Sequence, residues 1–140
     1  MKSILLVLRI ACGAGHEDLA PHIEAATKRH AVPVSALVAL IASESSCRPW
    51  AINRRTGATG LGQILPGGSA NRERYSQAEL KGVALGAMLA ARHLARCLRE
   101  RRTLAKAASR YNGAKRCMEN DFGRTVAMRA RFLESQTEGQ

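Results

Sequence analysis

The chain has 140 residues, of which 46% are hydrophobic and 4% aromatic, and its formal net charge is +11 at pH 7. This length suits a single domain with its own hydrophobic core. No stretch reaches the ~18 apolar residues that a membrane-spanning helix needs, and the cysteines and histidines lack the spacing of metal ligands. We therefore expect no membrane span, no metal and no cofactor.

The positive charge is concentrated between residues 92 and 132, which contain twelve lysines and arginines against three acidic residues. A basic surface of this kind suits a polyanion, either a cell-wall polymer bearing peptide carboxylates or a nucleic acid. Nucleic acid is disfavoured because the few aromatic residues are not interleaved with the basic ones, as base stacking would require.

Residues 1–16 form an N-terminal segment ahead of the predicted domain. Lys2 and the apolar run at residues 4–8 imitate a signal peptide, but the run is short and Arg9 interrupts it. The pattern leaves two alternatives, a degenerate signal and a disordered N-terminus. The domain is predicted over residues 17–134, with a polar tail at residues 135–140.

Caps and apolar periodicity predict a compact, mostly α domain. Ser76 and Glu79 have the spacing of a capping box, and Thr103 is placed to cap the next helix. Between the second and third helices, residues 49–68 contain five glycines and two prolines, which predicts a loop lining a cleft. The predicted helices cover approximately residues 17–30, 33–46, 76–100, 103–112 and 121–134.

Glu44 stands at the end of the second predicted helix. Five apolar residues share one face of that helix, and Glu44 projects from the same face. Burial and the helix dipole both raise the pKa of such a carboxyl, as a general acid near neutral pH requires. The alternative is a glutamate that flanks the core and reaches water. The apolar residues are Val34, Leu37, Val38, Leu40 and Ile41.

Three ordered motifs resemble those of the soluble lytic transglycosylases, within the lysozyme-like superfamily that includes goose-type lysozyme. From Glu44 to Pro66 the chain reads Glu-Ser, a Pro, an Ala, and then Gly-Ala-x-Gly-Leu-x-Gln-Ile-x-Pro. Residues 107–113 read Ala-Ala-Ser-Arg-Tyr-Asn-Gly, and residues 122–126 read Phe-Gly-Arg-Thr-Val. The resemblance covers residues 19–133. It implies a lysozyme-like helical domain with a glycine-rich active-site loop and at most a minimal β-hairpin.

The chain departs from the family's pattern at three places. Cys47 and Arg48 stand where the family has an aromatic residue followed by Asn or Asp. Gly62 replaces a bulky Met or Phe, and residues 86–94 keep little of the family's later motif. These departures leave the acid in place and bear on the contacts with sugar.

The resemblance implies cleavage of the β-1,4 bond between N-acetylmuramic acid (MurNAc) and N-acetylglucosamine (GlcNAc), with formation of 1,6-anhydroMurNAc. Glu44 would act alone, first as acid and then as base. A second carboxylate of the kind that glycoside hydrolases use is missing from residues 45–72. Glu73 and Glu79, the next two acids, sit in no motif that would position them.

The same resemblance assigns substrate-binding roles to Asn53, Gly60, Gln63, Tyr111 and Asn112. Asn53 would orient the N-acetyl group, Gln63 would bind a sugar hydroxyl, and Tyr111 would hold the Glu44 carboxyl. Each has a structural alternative: a turn at Asn53, backbone pairing at Gln63 and a core position for Tyr111. Asn112 suits a helix cap better than a ligand. Trp50 could be a sugar platform, although a lone tryptophan more often packs.

The four cysteines allow three disulfide connectivities, and the sequence does not choose among them. The family places the segments of Cys47 and Cys117 beside the acid, which predicts a Cys47–Cys117 bridge. The alternative is that the thiols stay reduced.

Three other functions are weighed against the transglycosylase. They are a goose-type-lysozyme-like hydrolase, a non-catalytic basic module that binds wall polymer or nucleic acid, and a cysteine peptidase using Cys47 and His93. The expected partner is a peptidoglycan glycan strand, bound by a monomer without nucleic acid. The expected place of action is the cell envelope or periplasm. The alternative is that the protein is phage-encoded and has no classical export signal.

Overall fold

The computed structural model describes residues 2–115 and 118–138. Within them the chain is mostly α-helical, which confirms the predicted fold class. Short 3-10 turns at Glu17–Leu19 and Ser69–Asn71 accompany the α-helices. The α-helices of this part of the chain are α1 (Lys2–Cys12), α2 (Ala20–His30), α3 (Val34–Ser45), α4 (Gln77–Leu80), α5 (Val83–Arg101), α6 (Leu104–Tyr111) and α7 (Asp121–Thr137).

Helix α3 is the centre of the core. It packs against α1, α2, α5 and α7, so it buries apolar residues on every side and not on the single face that the sequence predicted. The alanines between the larger residues, Ala36, Ala39 and Ala42, are buried as well. The helix meets solvent at its C-terminal end, where Glu44 lies half-buried.

Helix α1 packs into the core, so one of the two alternatives for the N-terminal segment, a disordered N-terminus, is wrong. Ile4, Val7 and Leu8 are buried in the core, where α1 packs against α3 and α7. These positions share one helical face, and burying each side chain contributes about 1.5–3 kcal/mol. None of the helices within residues 2–115 and 118–138 combines the length and hydropathy that crossing a bilayer requires.

A disulfide joins Cys12 at the end of α1 to Cys47, with 5.7 Å between their Cα atoms. The predicted Cys47–Cys117 bridge is therefore wrong, and Cys117 itself lies outside the described residues. The peptidase hypothesis is wrong as well, because the sulfur of Cys47 is committed to a disulfide and offers no thiolate. The thiol of Cys97 is free and buried.

The predicted third helix is divided in two. The capping box of Ser76 is confirmed, since its Oγ accepts from the N–H of Glu79 while the Glu79 carboxylate accepts from the N–H of Ser76. It opens only the short α4, and the chain turns at Lys81 and Gly82 before α5 begins. In the glycine-rich loop, pairing between described residues is limited to the isolated antiparallel bridges Ile52–Thr59 and Thr59–Ile64.

Candidate active site

An open groove of about 520 Å³ lies at the C-terminal end of α3. Glu44 lines it, together with residues of the glycine-rich loop and of the segment between α6 and α7. Four of the five predicted substrate-binding residues line the same groove: Asn53, Gln63, Tyr111 and Asn112. Phe122 of the third motif lines it as well, so the fold gathers residues of all three sequence motifs around one carboxyl group.

The carboxyl group of Glu44 has a pKa near neutral pH. Burial raises the pKa of Glu44 from 4.5 to about 7, in the direction that the sequence predicted. Within the described part of the chain, no hydrogen bond or ion pair engages this carboxyl and favours its charged form. A carboxyl of this pKa can both give and take a proton at neutral pH.

Ser45 joins α3 to the loop, a role that the sequence analysis missed. Its buried Oγ lies 2.8 Å from the carbonyl oxygen of Leu61 in the loop and 3.1 Å from that of Ile41 in its own helix. The hydroxyl therefore fixes the loop against the turn of helix that carries Glu44. Its place in the Glu-Ser pair of the first motif was the available signal.

Asn53 forms a turn and faces the groove at the same time. Its Oδ1 accepts the backbone N–H groups of Arg55 and Thr56 at 3.0 and 3.2 Å, which fixes the orientation of the amide. Its Nδ2 has no partner within residues 2–115 and 118–138. The exposed amide can therefore donate two hydrogen bonds to a ligand in the groove.

Gln63 is tied to the loop through one end of its amide. Its Nε2 donates to the carbonyl oxygens of Ala51 and Gly60 at 3.0 and 3.1 Å, whereas Oε1 has no partner in the described part of the chain. Gly60 is buried and does not line the groove. Its φ is +85°, and an added Cβ would collide with the carbonyl oxygen of Leu80. Gly60 therefore shapes the loop behind Gln63.

Tyr111 supports the loop through its hydroxyl, which donates to the carbonyl oxygen of Gly62 at 2.6 Å and not to Glu44. Burial and, second, the charge of Glu44 raise the pKa of Tyr111, so the phenol remains a donor. Its ring contacts the imidazole of His93, with 4.6 Å between centroids. A Cβ at position 62 would meet both the Tyr111 hydroxyl and the Cβ of Ala90, which explains the glycine there.

Asn112 and Trp50 have mainly structural surroundings. Asn112 is the C-cap of α6, and its Oδ1 accepts from Nδ2 of Asn120 at 3.3 Å. It borders the groove with an exposed side chain, as a cap and a lining residue together. Trp50 is 61% exposed and stands outside the groove lining, so the structure gives it no platform role there.

Glu44 is the only carboxylate among the described residues that line the groove. Glu73 is bound by Arg92, whose guanidinium holds the pKa of Glu73 at about 2. Glu79 is occupied by the capping box of α4. The next two acids after Glu44 therefore remain outside the site.

Comparisons with known proteins agree with this geometry. Among protein families, the transglycosylase SLT domain matches residues 21–131, which is most of the chain and includes every residue of the groove. Searches of curated proteins and of solved structures gave no significant match. A match of this extent, with the family's motifs gathered around one half-buried glutamate, means that the chain belongs to the transglycosylase SLT domain family and is a peptidoglycan lytic transglycosylase.

Proposed function

We propose that the chain cleaves the β-1,4 bond between MurNAc and GlcNAc and leaves a 1,6-anhydroMurNAc end, with Glu44 as the single general acid and base. The observation that carries this proposal is the solitary carboxyl of the groove, whose pKa burial raises to about 7. Hydrolysis by paired carboxylates needs a second acid across the bond. The described lining of the groove offers none.

In the first step the protonated Glu44 gives its proton to the glycosidic oxygen, and the bond from that oxygen to C1 of MurNAc breaks. The GlcNAc portion leaves as an alcohol. The carbonyl oxygen of the substrate's own N-acetyl group stabilises the positive charge on C1. In this proposal the amide of Asn53 donates to that N-acetyl group through Nδ2, since Oδ1 is held by its turn.

In the second step the Glu44 carboxylate takes the proton from the C6 hydroxyl of the same MurNAc. The O6 atom bonds to C1 and closes the anhydro ring. Glu44 ends protonated, as it began, and no water is consumed. Each proton transfer contributes ~10²–10⁴-fold to the rate.

Sugar positioning falls to the loop that Ser45 and Tyr111 fix in place. Gln63 lines the groove and its Nε2 is held by the loop backbone, so Oε1 is the amide atom left to accept a bond from a sugar hydroxyl. Tyr111 acts on the substrate only indirectly, through the carbonyl of Gly62.

Mass spectrometry of the products tests the proposal. Purified peptidoglycan incubated with the protein is expected to yield muropeptides with anhydroMurNAc ends, which are lighter by one water molecule than hydrolysed ends. Reducing MurNAc ends would instead indicate a goose-type-lysozyme-like hydrolase. Intact peptidoglycan would indicate a non-catalytic binding module.

The place of action is the cell envelope, where the substrate lies. We propose that the protein acts there as a monomer and without nucleic acid, in an oxidising compartment such as the periplasm. The Cys12–Cys47 disulfide supports this, since disulfides persist outside the reducing cytosol.

A further inference from the structure

Two smaller pockets adjoin the groove on the side of Tyr111. A smaller pocket of about 90 Å³ shares Gln63, Leu65 and Tyr111 with the groove. That pocket in turn shares Ser69, Ala70 and His93 with a third one of about 100 Å³. Because each space shares lining residues with the next, the three spaces lie side by side on the protein, and we call this row of spaces the path.

The far end of this path is strongly basic. Four arginines line it, and no carboxylate does so within the described residues: Arg72, Arg92, Arg96 and Arg99. We call this space the arginine pocket. Its His93 wall is neutral at physiological pH, because burial and then Arg96 lower the pKa of His93 to about 4.

The four arginines are not equally available. Arg92 is structural, since it binds Glu73 and donates to the carbonyl oxygen of Ala70. Arg96 lies 3.4 Å from the Glu100 carboxylate. Arg72 and Arg99 are exposed, and neither has a hydrogen bond or ion pair within residues 2–115 and 118–138. Two guanidinium groups thus remain to bind an anion.

The positive charge of the arginine pocket affects the pKa of the nearby His30. The charges of Arg29, Arg92 and Arg99 add to burial in lowering the pKa of His30 at the end of α2. Uncompensated positive charge at this place favours an anionic ligand. Guanidinium groups suit carboxylates in particular, because their N–H groups match the two oxygens.

We propose that the arginine pocket binds the carboxylates of the peptide stems that muramoyl residues carry, so that the protein recognises peptide-bearing glycan strands in preference to bare ones. This rests on the proposed function only for the position of the glycan strand, which lies in the Glu44 groove while its peptide stem reaches the arginine pocket. The contact is local, because exposed charges are screened beyond ~8 Å at physiological salt.

The test compares an Arg72→Gln/Arg99→Gln double variant with a charge-matched control, Arg9→Gln/Arg131→Gln. The control residues are exposed and lie outside the path. Each pair is placed in the wild-type chain and in a Glu44→Gln chain that cannot cleave. The substrates are peptide-bearing glycan strands and the same strands after an amidase has removed the peptides.

We expect the Arg72/Arg99 variant to bind and cleave peptide-bearing strands about five- to tenfold less well through KM, with kcat little changed. Its handling of bare strands should equal that of the control. Equal loss on both substrates, or no loss on either, overturns the proposal. Because binding is measured in the Glu44→Gln chain, this result stands apart from the chemistry: a wild type that binds strands but leaves them intact refutes the proposed function alone.

Discussion

Replacing Glu44 by Gln should separate activity from stability, since it removes the proposed proton donor and also a partly buried charge. The amide has the size of the carboxyl and stays neutral at every pH. We expect the variant to keep less than a few per cent of wild-type cleavage, because general acid catalysis contributes ~10²–10⁴-fold. We also expect it to be more stable than the wild type at alkaline pH.

The size of the gain follows from the pKa of Glu44. Burial raises this pKa from 4.5 to about 7, which at about 1.4 kcal/mol per tenfold corresponds to about 3 kcal/mol. A raised pKa stabilises the folded wild type fully below pH 4.5, and this contribution is lost as pH rises through about 7. The variant should therefore match the wild type near pH 4 and exceed it by about 2–3 kcal/mol near pH 8.5.

Urea denaturation at the two pH values measures the difference in the free energy of unfolding. Glu119→Gln serves as the control, because its side chain is exposed and outside the groove. A Glu44→Gln protein with the same relative stability at both pH values would refute the burial argument. A folded variant that cleaves peptidoglycan at more than a few per cent of the wild-type rate would refute the assignment of the acid.

Three further predictions concern the site and its supports. The rate of peptidoglycan cleavage should fall as pH rises through about 7, because only protonated Glu44 can act in the proposed first step; a rate that does not change between about pH 5 and about pH 9 would contradict this. Tyr111→Phe should cost about 1 kcal/mol in urea denaturation and raise KM, because it removes the donor to the carbonyl of Gly62, whereas an unchanged KM would mean that the loop holds without it. Cys12→Ser should lower the free energy of unfolding by about 4 kcal/mol, the chain-entropy value for a loop that closes over a separation of 35 residues. Adding a reductant should lower the free energy of unfolding of the wild type by the same amount.

Local signals in the sequence predicted the helix caps and the electrostatics of the acid well. The bonds of a cap span three residues, so Ser76 and Thr103 carry their own partners with them. The raised pKa of Glu44 followed from a carboxyl placed among apolar neighbours, and burial was its cause in the structure. The sequence analysis, by contrast, predicts one helix through Gly82, where the structure has a break between α4 and α5.

Contacts between distant segments could not be predicted. Cys47 was paired with Cys117 on the strength of neighbouring motifs, but the packing of α1 on α3 brings Cys12 to it. For the same reason, the sequence shows the basic stretch from Arg92 onward but not the pocket that this stretch forms with Arg72. Arg72 follows a short turn and Arg99 lies on α5, and only the fold brings both to the arginine pocket.

The glycine at position 62 has a consequence for anyone who exchanges segments between this enzyme and its relatives. The space beside position 62, where the family's motif has Met or Phe, is taken here by the Tyr111 hydroxyl and the methyl group of Ala90. A loop transplanted with its native Met or Phe would displace the tyrosine, and with it the anchor of the loop. Positions 62, 90 and 111 are therefore coupled sterically, so the residue tolerated at each position depends on the other two.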